Sequence, residues 1–557
     1  MKKTGIIIAV IFSMIQINRV NACTNFLITK GATVGGTPMI TYAADSHTLY
    51  GELYYWPSAN YKTGAMADVY EWDTGKFLGK IPQVSHTYQV VGNMNEHQLA
   101  IGETTYGGRK ELASQAGAIV DYGSLIYMTL QRAKSAREAI KVMAEMVSNY
   151  GYASSGESFS IADKEEVWIM EMIGKGDGQK GAVWVALKIP DGYISGHANQ
   201  ARITQFPLDQ PNECLFSADV ITFAREKGWF NGKDSEFSFS DTYAPVEFGG
   251  ARFCDARVWA GFNKVNNQMG QYENYAMGKI TYDKNKYATN RIPLWIKPDA
   301  PLTLENVMGM MRDHYEGTVL DMTKDLGAGP NKLPYRWRPM TWQVDSVAYC
   351  HERAISTQQT GFSFVAQCRP ALPDPIGGIL WFGVDDASST CYMPVYCGIS
   401  EVPNSIKVGN GDFLTWSDSS AFWIFNTVTN MCYLRYDDMI KDVQKLQTKK
   451  EQGFINGIGV VDQRALAYWN KGDKVNAIKT LTSYSVNQVE TTVKEWKELS
   501  HYLLIKYKDG NIMKEKDGQF ERNEYGKQPA QPLHPSYPDS WYRMIINKNE
   551  DHFKAGQ

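Results

Sequence analysis

The chain is 557 residues long, with 57 Lys and Arg against 60 Asp and Glu and a formal charge of −3 at pH 7. That length can bury a large core and allows about two to four domains. A mildly acidic balance with no long basic block gives no footing for nucleic acid or an anionic membrane as partner. The first predicted element is a secretory leader over residues 1–22. Lys2 and Lys3 open it, Gly5 to Ile15 form an apolar run too short to span a bilayer, and Val20 and Ala22 are the small residues a cleavage site needs. Cleavage before Cys23 removes Lys2, Lys3 and Arg19 and no acid, so the 57 basic residues become 54 against 60 acidic ones, a net charge of −6. Val20-Asn21-Ala22-Cys23 also approximates a bacterial lipobox, in which the cysteine is lipidated and its amine acylated; Asn21 and the interposed Arg19 fit that box poorly. The two readings exclude each other, because an acylated amine cannot act as a base. No later stretch reaches transmembrane length.

From Cys23 to about Tyr106 the pattern is β. Cys23 to Ile28, Pro38 to Tyr42, Glu52 to Trp56, Tyr88 to Val91 and Leu99 to Thr105 are strand-like runs, the first two joined through Gly35-Gly36 as an opening hairpin. Helices follow over Tyr122 to Ala133 and behind Ser135, where Ser135-Ala136-Arg137-Glu138 reads as a capping box and Ile140, Val142, Met143, Met146 and Val147 recur at helical spacing. Strands resume at Phe159 to Ala162, Val167 to Ile173, Ala182 to Ile189 and, after the Pro190-Asp191-Gly192 turn, Tyr193 to Ala198. Residues 207–301 are mixed, aromatic and turn-rich and read as insertions. Leu302 to Tyr315 is predicted helical with Thr303 as cap, Ser363 to Gln367 and Gly378 to Val384 β-like, and Asp437 to Lys449 and Asn476 to Lys508 a long helical pair. From Asn511 the chain is polar and proline-bearing and is expected to wrap the surface. Strands, then two helices, then strands argue for an α+β fold rather than a doubly wound parallel sheet, and no Gly-x-Gly-x-x-Gly follows a strand. The predicted division is a leader (1–22), a core with insertions (23–402) and a mainly helical C-terminal region with its tail (403–557).

The chemistry centres on Cys23. Leader cleavage leaves it with a thiol and a free α-amine, and such an amine has a reference pKa of about 7.7–8.0, against about 10.4 for lysine. A useful fraction is then unprotonated at neutral pH and can take the thiol's proton. No cysteine-protease signature surrounds any of the nine histidines, and there is no Gly-x-Ser-x-Gly elbow, His-Glu-x-x-His or Cys-x-x-Cys. His314 and His351 each have acidic neighbours but read first as hydrogen-bonded structural histidines. Eight cysteines in an exported chain suggest some disulfides. Cys391 with Cys397 and Cys214 with Cys254 are pairings favoured by proximity, Cys350 with Cys368 less so, and small buried thiols are the alternative.

Several blocks, in order, resemble the C69 dipeptidases, a branch of the N-terminal nucleophile hydrolases that also holds penicillin V acylase and bile salt hydrolase. They are Cys23-Thr24-Asn25, the hairpin ending in Asp45-Ser46, Met94-Asn95-Glu96-His97 with the strand after it, Ile189 to Gly192, Ala198 to Ile203, Met311 to Thr318, Gln367-Cys368-Arg369 and Met393 to Tyr396. The resemblance implies an αββα sandwich of two antiparallel sheets between helices, with a helical C-terminal region, and amide hydrolysis through an acyl-enzyme on Cys23 without metal or organic cofactor. It implies that Asp45 holds the nucleophilic residue and its amine and that Asn199 donates to the oxyanion, a role typically worth roughly 2.7–4 kcal/mol. Arg202, three residues on, is a candidate for gripping the substrate carboxylate in a two-pronged contact. Two places depart from the wider superfamily. Tyr42 stands where an arginine often precedes the acid, and Thr104-Thr105 where acylases carry an asparagine, so backbone N–H groups or Thr105 itself are expected in the oxyanion hole.

The expectation is thus an exported dipeptidase, periplasmic or secreted, matured by signal peptidase and acting on small peptides. A homo-oligomer stays open. The alternatives are a hydrolase of non-peptide acyl amides, of the penicillin V acylase or bile salt hydrolase type, and a lipid-anchored surface protein that binds sugars or peptides without catalysis, to which the 15 Trp and 32 Tyr residues are suited.

Overall fold

A computed structural model describes residues 23–555; the leader and the lipobox positions Val20 to Ala22 lie outside the described residues. Two large sheets dominate, and every neighbouring pair of strands in them is antiparallel. The first runs, in spatial order, Trp295–Ile296, Ile194–His197, Asn25–Ile28, Met39–Asp45, Thr360–Gln367, Ile379–Val384 and Met393–Tyr396. The second runs Cys214–Phe216, Ala182–Lys188, Val167–Gly174, Gly156–Ala162, Ala100–Gly107, Met94–Asn95, Val90–Val91 and Tyr55–Trp56.

The sheets face each other. Asn25–Ile28 and Met39–Asp45 lie on Ala100–Gly107 and Gly156–Ala162 of the other sheet. Helices Tyr122–Leu130 and Ala136–Tyr150 cover the outer side of the second sheet, and Ala421–Leu434, Tyr436–Trp469 and Lys474–Lys506 pack against the Ile379–Val384 and Met393–Tyr396 strands of the first. Residues on the central strands are therefore buried on both sides: all of Met39–Asp45, Gly156–Ala162 and Val167–Gly174 are enclosed. This explains why a strand such as Val167–Gly174 reads as a nearly continuous apolar run rather than as alternation.

Most predicted elements stand where expected, within the usual uncertainty of element ends. The Ser135 cap forms, with the hydroxyl accepting from the Glu138 N–H, but the Glu138 carboxylate reaches the Lys134 N–H rather than that of Ser135. The helix after Thr303 is shorter, Leu304–Met311, and closed by a Thr303–Asn306 capping box. The first helix of the late pair, Tyr436–Trp469, runs well past the predicted Lys449, the second, Lys474–Lys506, stands within two residues of its predicted ends, and the helix Ala421–Leu434, mixed in aromatic and β-branched residues, was not foreseen. No helix among the described residues is long and apolar enough to cross a membrane.

The proposed disulfides are corrected: all eight cysteines are free thiols. Cys391 and Cys397 flank the extended Met393–Tyr396 strand, which at about 3.3 Å per residue carries them beyond the roughly 7 Å Cα limit of a bridge. The Cys368 thiol donates instead to the Gln98 carbonyl at 3.0 Å. Most of these cysteines serve as small buried side chains.

Candidate active site

Cys23 sits at the entrance to the first strand of the chain. The Thr24–Ala43 bridge and the Leu27–Ile40 register bring it level with the end of Met39–Asp45, so Cys23 and Asp45 meet at the mouth of the opening hairpin. Both line one cavity of about 240 Å³, whose wall also holds Tyr42, Ser46, Tyr50, Glu52, Tyr54, Trp72, Asp73, Glu103, Thr105, Tyr122 and Phe362. Asp45, Glu52, Asp73 and Glu103 supply its charged groups, and neither a basic side chain nor a histidine is among the described residues that line it.

The residues after Cys23 have separate jobs. The Thr24 hydroxyl accepts from Arg257 at 2.8 Å. The Asn25 amide crosses to the other sheet: with its oxygen toward the Glu103 N–H (3.0 Å) and its nitrogen toward the Glu103 carbonyl (3.2 Å), it pins the strand that carries Glu103. Gly102 allows this approach, since a Cβ there would lie 2.8 Å from the end of the Asn25 side-chain amide.

Arg257 is the site residue that the sequence reading missed. It is fully buried and donates to the Cys23 carbonyl (2.6 Å), the Thr24 hydroxyl (2.8 Å), the Ala198 carbonyl (2.9 Å) and the Asn199 side-chain oxygen (2.8 Å). One guanidinium thus ties the nucleophile's backbone to Asn199. Burial and the nearby Arg353 pull its pKa down to about 10, which still leaves it charged at neutral pH. It is delivered by the helix Ala256–Asn263, entered through a π-helical turn over Gly250–Asp255. A Cβ on Gly261 would fall 2.1 Å from the Phe26 ring, so only glycine lets this helix lie so close to the first strand. A signal existed: Arg257 stands in an apolar run four residues before that glycine, on the same helical face.

The other predicted residues are placed as follows. The Asp45 carboxylate accepts from Arg353 (2.9 Å) and Thr360 (2.6 Å), while its backbone N–H points at the Cys23 sulfur. Burial raises its carboxyl, against the pull of Arg353 and Thr360. Asn199 adopts left-handed backbone (φ 66°), which asparagine tolerates, and its amide nitrogen donates to the Thr105 carbonyl at 2.6 Å. The Thr105 hydroxyl is turned away, toward Glu157 at 2.8 Å. Arg202 is not brought to the cavity. Its guanidinium lies on the Gly196, Leu294, Ile292 and Pro293 carbonyls, faces Asp255 at 3.5 Å and braces the strand behind the site.

Three histidines of the interior and its edge, His314, His351 and His197, also have internal partners. His314 is held between Glu316 (3.0 Å) and the Tyr335 hydroxyl (3.1 Å), and His351 packs on Trp342 with ring centroids 4.1 Å apart. His197 lies between Thr104 and Ser160, and burial drives its pKa down to about 3. Among the described residues no cluster of three or more His, Cys, Asp or Glu side chains could hold a metal ion.

The electrostatics around the sulfur are unusual for a cysteine nucleophile. Sγ is 3.7 Å from the Tyr42 hydroxyl and 3.8 Å from Glu103 Oε1, and Tyr42 donates to that same oxygen. Burial first, then the Glu103 and Asp45 carboxylates, push the thiol well above its usual pKa. Glu103 itself is raised to about 7 by burial, and Glu157, from the neighbouring strand, is raised well beyond the carboxylate range by burial and by Glu103. Their remaining oxygens, Glu103 Oε2 and Glu157 Oε2, are both buried without another partner, which suits one proton held between them. Cys23 therefore rests as a thiol. Glu103→Gln removes a negative charge beside the sulfur, so the thiol pKa is expected to fall. Iodoacetamide alkylation of Cys23 followed against pH tests this; an unmoved midpoint would show that the Glu103 charge does not reach the sulfur.

The sequence model of peptidase family C69 matches residues 22–449. A probable dipeptidase of Latilactobacillus sakei is 23% identical over 408 residues, covering 70% of this chain and 76% of that protein. A probable dipeptidase of Salmonella dublin is 22% identical over 414 residues, 70% of this chain and 83% of its own length. A probable dipeptidase A of Streptococcus pyogenes serotype M3 is 24% identical over 406 residues, 69% and 77% of the two chains. These relations define a peptide hydrolase. The chain belongs to peptidase family C69.

Proposed function

We propose that this protein is an exported dipeptidase in which removal of residues 1–22 by signal peptidase makes Cys23 an N-terminal nucleophile. The observation that carries the reading is the placement of Cys23 in one cavity with Asp45, its carbonyl fixed by Arg257 and its sulfur in reach of no histidine. A thiol held protonated by its surroundings needs a base at the moment of attack, and the freed α-amine is on the same residue. In this mechanism the amine takes the Sγ proton, sulfur attacks the scissile carbonyl, and the tetrahedral oxyanion collapses as the amine protonates the departing nitrogen. Water, deprotonated by the same amine, then releases the acyl group. Asp45 holds the amine end of Cys23, and Asn199, oriented by Arg257 and Thr105, is the proposed side-chain donor of the oxyanion hole.

The family match beginning at residue 22, beside Cys23, supports this reading, as do the stacked antiparallel sheets between helices, which we interpret as an αββα N-terminal nucleophile hydrolase sandwich. On this reading the core spans residues 23–402, and the C-terminal helices supply the outer layer on one side.

The charge of the cavity favours a dipeptide over a plain acyl amide. Its charged groups are carboxylates set among aromatic rings, which suits the α-ammonium of a substrate's first residue, a group that a plain acyl amide lacks. Hydrolysis of free dipeptides and of N-acyl amino acids, compared with the purified mature enzyme, tests this. Dipeptides are expected to exceed acyl amides by about 100-fold or more in kcat/KM, in line with the rejection of analogues lacking a recognised polar group. Turnover confined to acyl amides would overturn the reading.

A further inference from the structure

A dipeptide carries a carboxylate as well as an ammonium, and the Cys23 cavity has no cation in its wall. The cations stand just behind the hairpin end. Arg353 pairs with Asp45 at 2.9 Å, and Arg257 lies on the other side of Cys23. Arg353 and Arg338 line one narrow crevice of about 20 Å³, together with Arg336 and Glu352. Arg336 is matched by Asp325 (2.7 Å) and Glu352 by Arg252 (2.5 Å), so these two leave no charge unanswered. Arg338 is different. It is exposed, and among the described residues it has no carboxylate partner. Its guanidinium donates to the Gln359 side-chain oxygen, and the Gln359 carbonyl accepts the backbone N–H of Ser46 at 2.9 Å. Ser46 lines the Cys23 cavity, so the contact chain Arg338–Gln359–Ser46 runs from the crevice to the cavity rim. Arg257, Arg353 and Arg338 cluster about the Asp45 end of the hairpin, and burial and the mutual repulsion of these cations lower the pKa of both Arg257 and Arg338 to about 10. An exposed guanidinium without a carboxylate partner at the edge of a site, such as Arg338, suits an anionic ligand.

We propose that Arg338, held by Gln359 at the Ser46 rim and backed by Arg353, receives the α-carboxylate of the substrate's C-terminal residue. This rests on the dipeptidase reading and deepens it: carboxylates of the cavity take the ammonium and Arg338, reached over the Ser46 rim, takes the carboxylate. An extended dipeptide spans roughly 7 Å, and a longer peptide cannot satisfy both ends at once. The subsite makes the enzyme an exopeptidase for two-residue peptides, and it fills the role that the sequence had offered to Arg202.

The test compares a free dipeptide, its C-terminal amide and the tripeptide extended at the C-terminus, with wild type, Arg338→Gln and Arg338→Lys. Wild type is expected to prefer the free dipeptide over both others by about 50-fold in kcat/KM, the scale of a lost charge-assisted hydrogen bond. Arg338→Gln narrows the gap between dipeptide and amide to about 3-fold, with the loss on the dipeptide expressed in KM. Arg338→Lys restores part of it, since the charge returns without the planar fork. A wild type that cleaves dipeptide and amide equally well overturns the subsite while leaving the dipeptidase reading in place, and this comparison needs no variant to fold. An Arg338→Gln loss shared equally by dipeptide and amide also overturns it. Turnover of acyl amides alone removes the dipeptidase reading and the subsite with it.

Discussion

Cys23→Ala is expected to abolish peptide hydrolysis while the fold survives, because losing one sulfur beside an existing cavity costs only about 1 kcal/mol. Cys23→Ser should retain at most a trace, since the amine stays but a poorer nucleophile replaces the thiol. The more telling variant keeps the thiol and moves the amine. If one residue is retained ahead of Cys23, the nitrogen becomes an amide that cannot accept a proton, and the loss of a positioned general base is expected to lower kcat by about 10³-fold. The surroundings make this prediction sharp: with Glu103 and Asp45 both disfavouring a thiolate, no charged thiolate is waiting to react without a base. Full activity in the extended form would refute the N-terminal mechanism. Steady-state kinetics on a dipeptide, with thermal unfolding as the control for folding, provide the measurement.

The second large effect is expected at Arg257. Arg257→Met leaves the Cys23 carbonyl, the Ala198 carbonyl and the Asn199 oxygen without their buried donor. Unsatisfied acceptors of this kind cost about 1–3 kcal/mol each and are not additive, so a net destabilisation of about 3 kcal/mol is expected. Catalysis should fall further than stability explains, by about 100-fold in kcat with KM within about 3-fold, because the residue acts through the placement of Cys23 and Asn199 rather than on the substrate. Arg257→Lys should recover part of the stability but little of kcat, since one ammonium cannot span four acceptors fixed for a fork. Equal losses in kcat and in substrate affinity would assign Arg257 a merely structural part.

Much of this was legible in the sequence because local chemistry fixed it. The opening hairpin is set by apolar runs around Gly35-Gly36, and its register alone brings Asp45 to Cys23. The Ser135 and Thr303 caps mark helix starts that the structure keeps. What could not be read depends on contacts between distant segments. Arg257 and Arg353 reach Cys23 and Asp45 from more than two hundred residues away, and nothing local in either stretch says which distant groups it meets. Arg202 shows the converse: its position after Asn199 suggested a substrate contact, but a ring of carbonyls from residues 292–294 holds it inside. Tyr42 was read as a lost positive charge. Its hydroxyl donates to Glu103 and lies 3.7 Å from the sulfur, where it eases the thiol pKa down against burial and the Glu103 and Asp45 charges, while the cations arrive from elsewhere in the chain. The cysteine pairings failed because closeness in sequence along an extended strand is separation in space.

The N-terminal mechanism depends on the state of one nitrogen atom. Intact mass together with N-terminal sequencing of the protein isolated from its producing cell reads that state directly. The predicted result is a chain starting at Cys23 with an unmodified α-amine and no added acyl mass. A diacylglyceryl or N-acyl group on Cys23, or a start at any other residue, would contradict it.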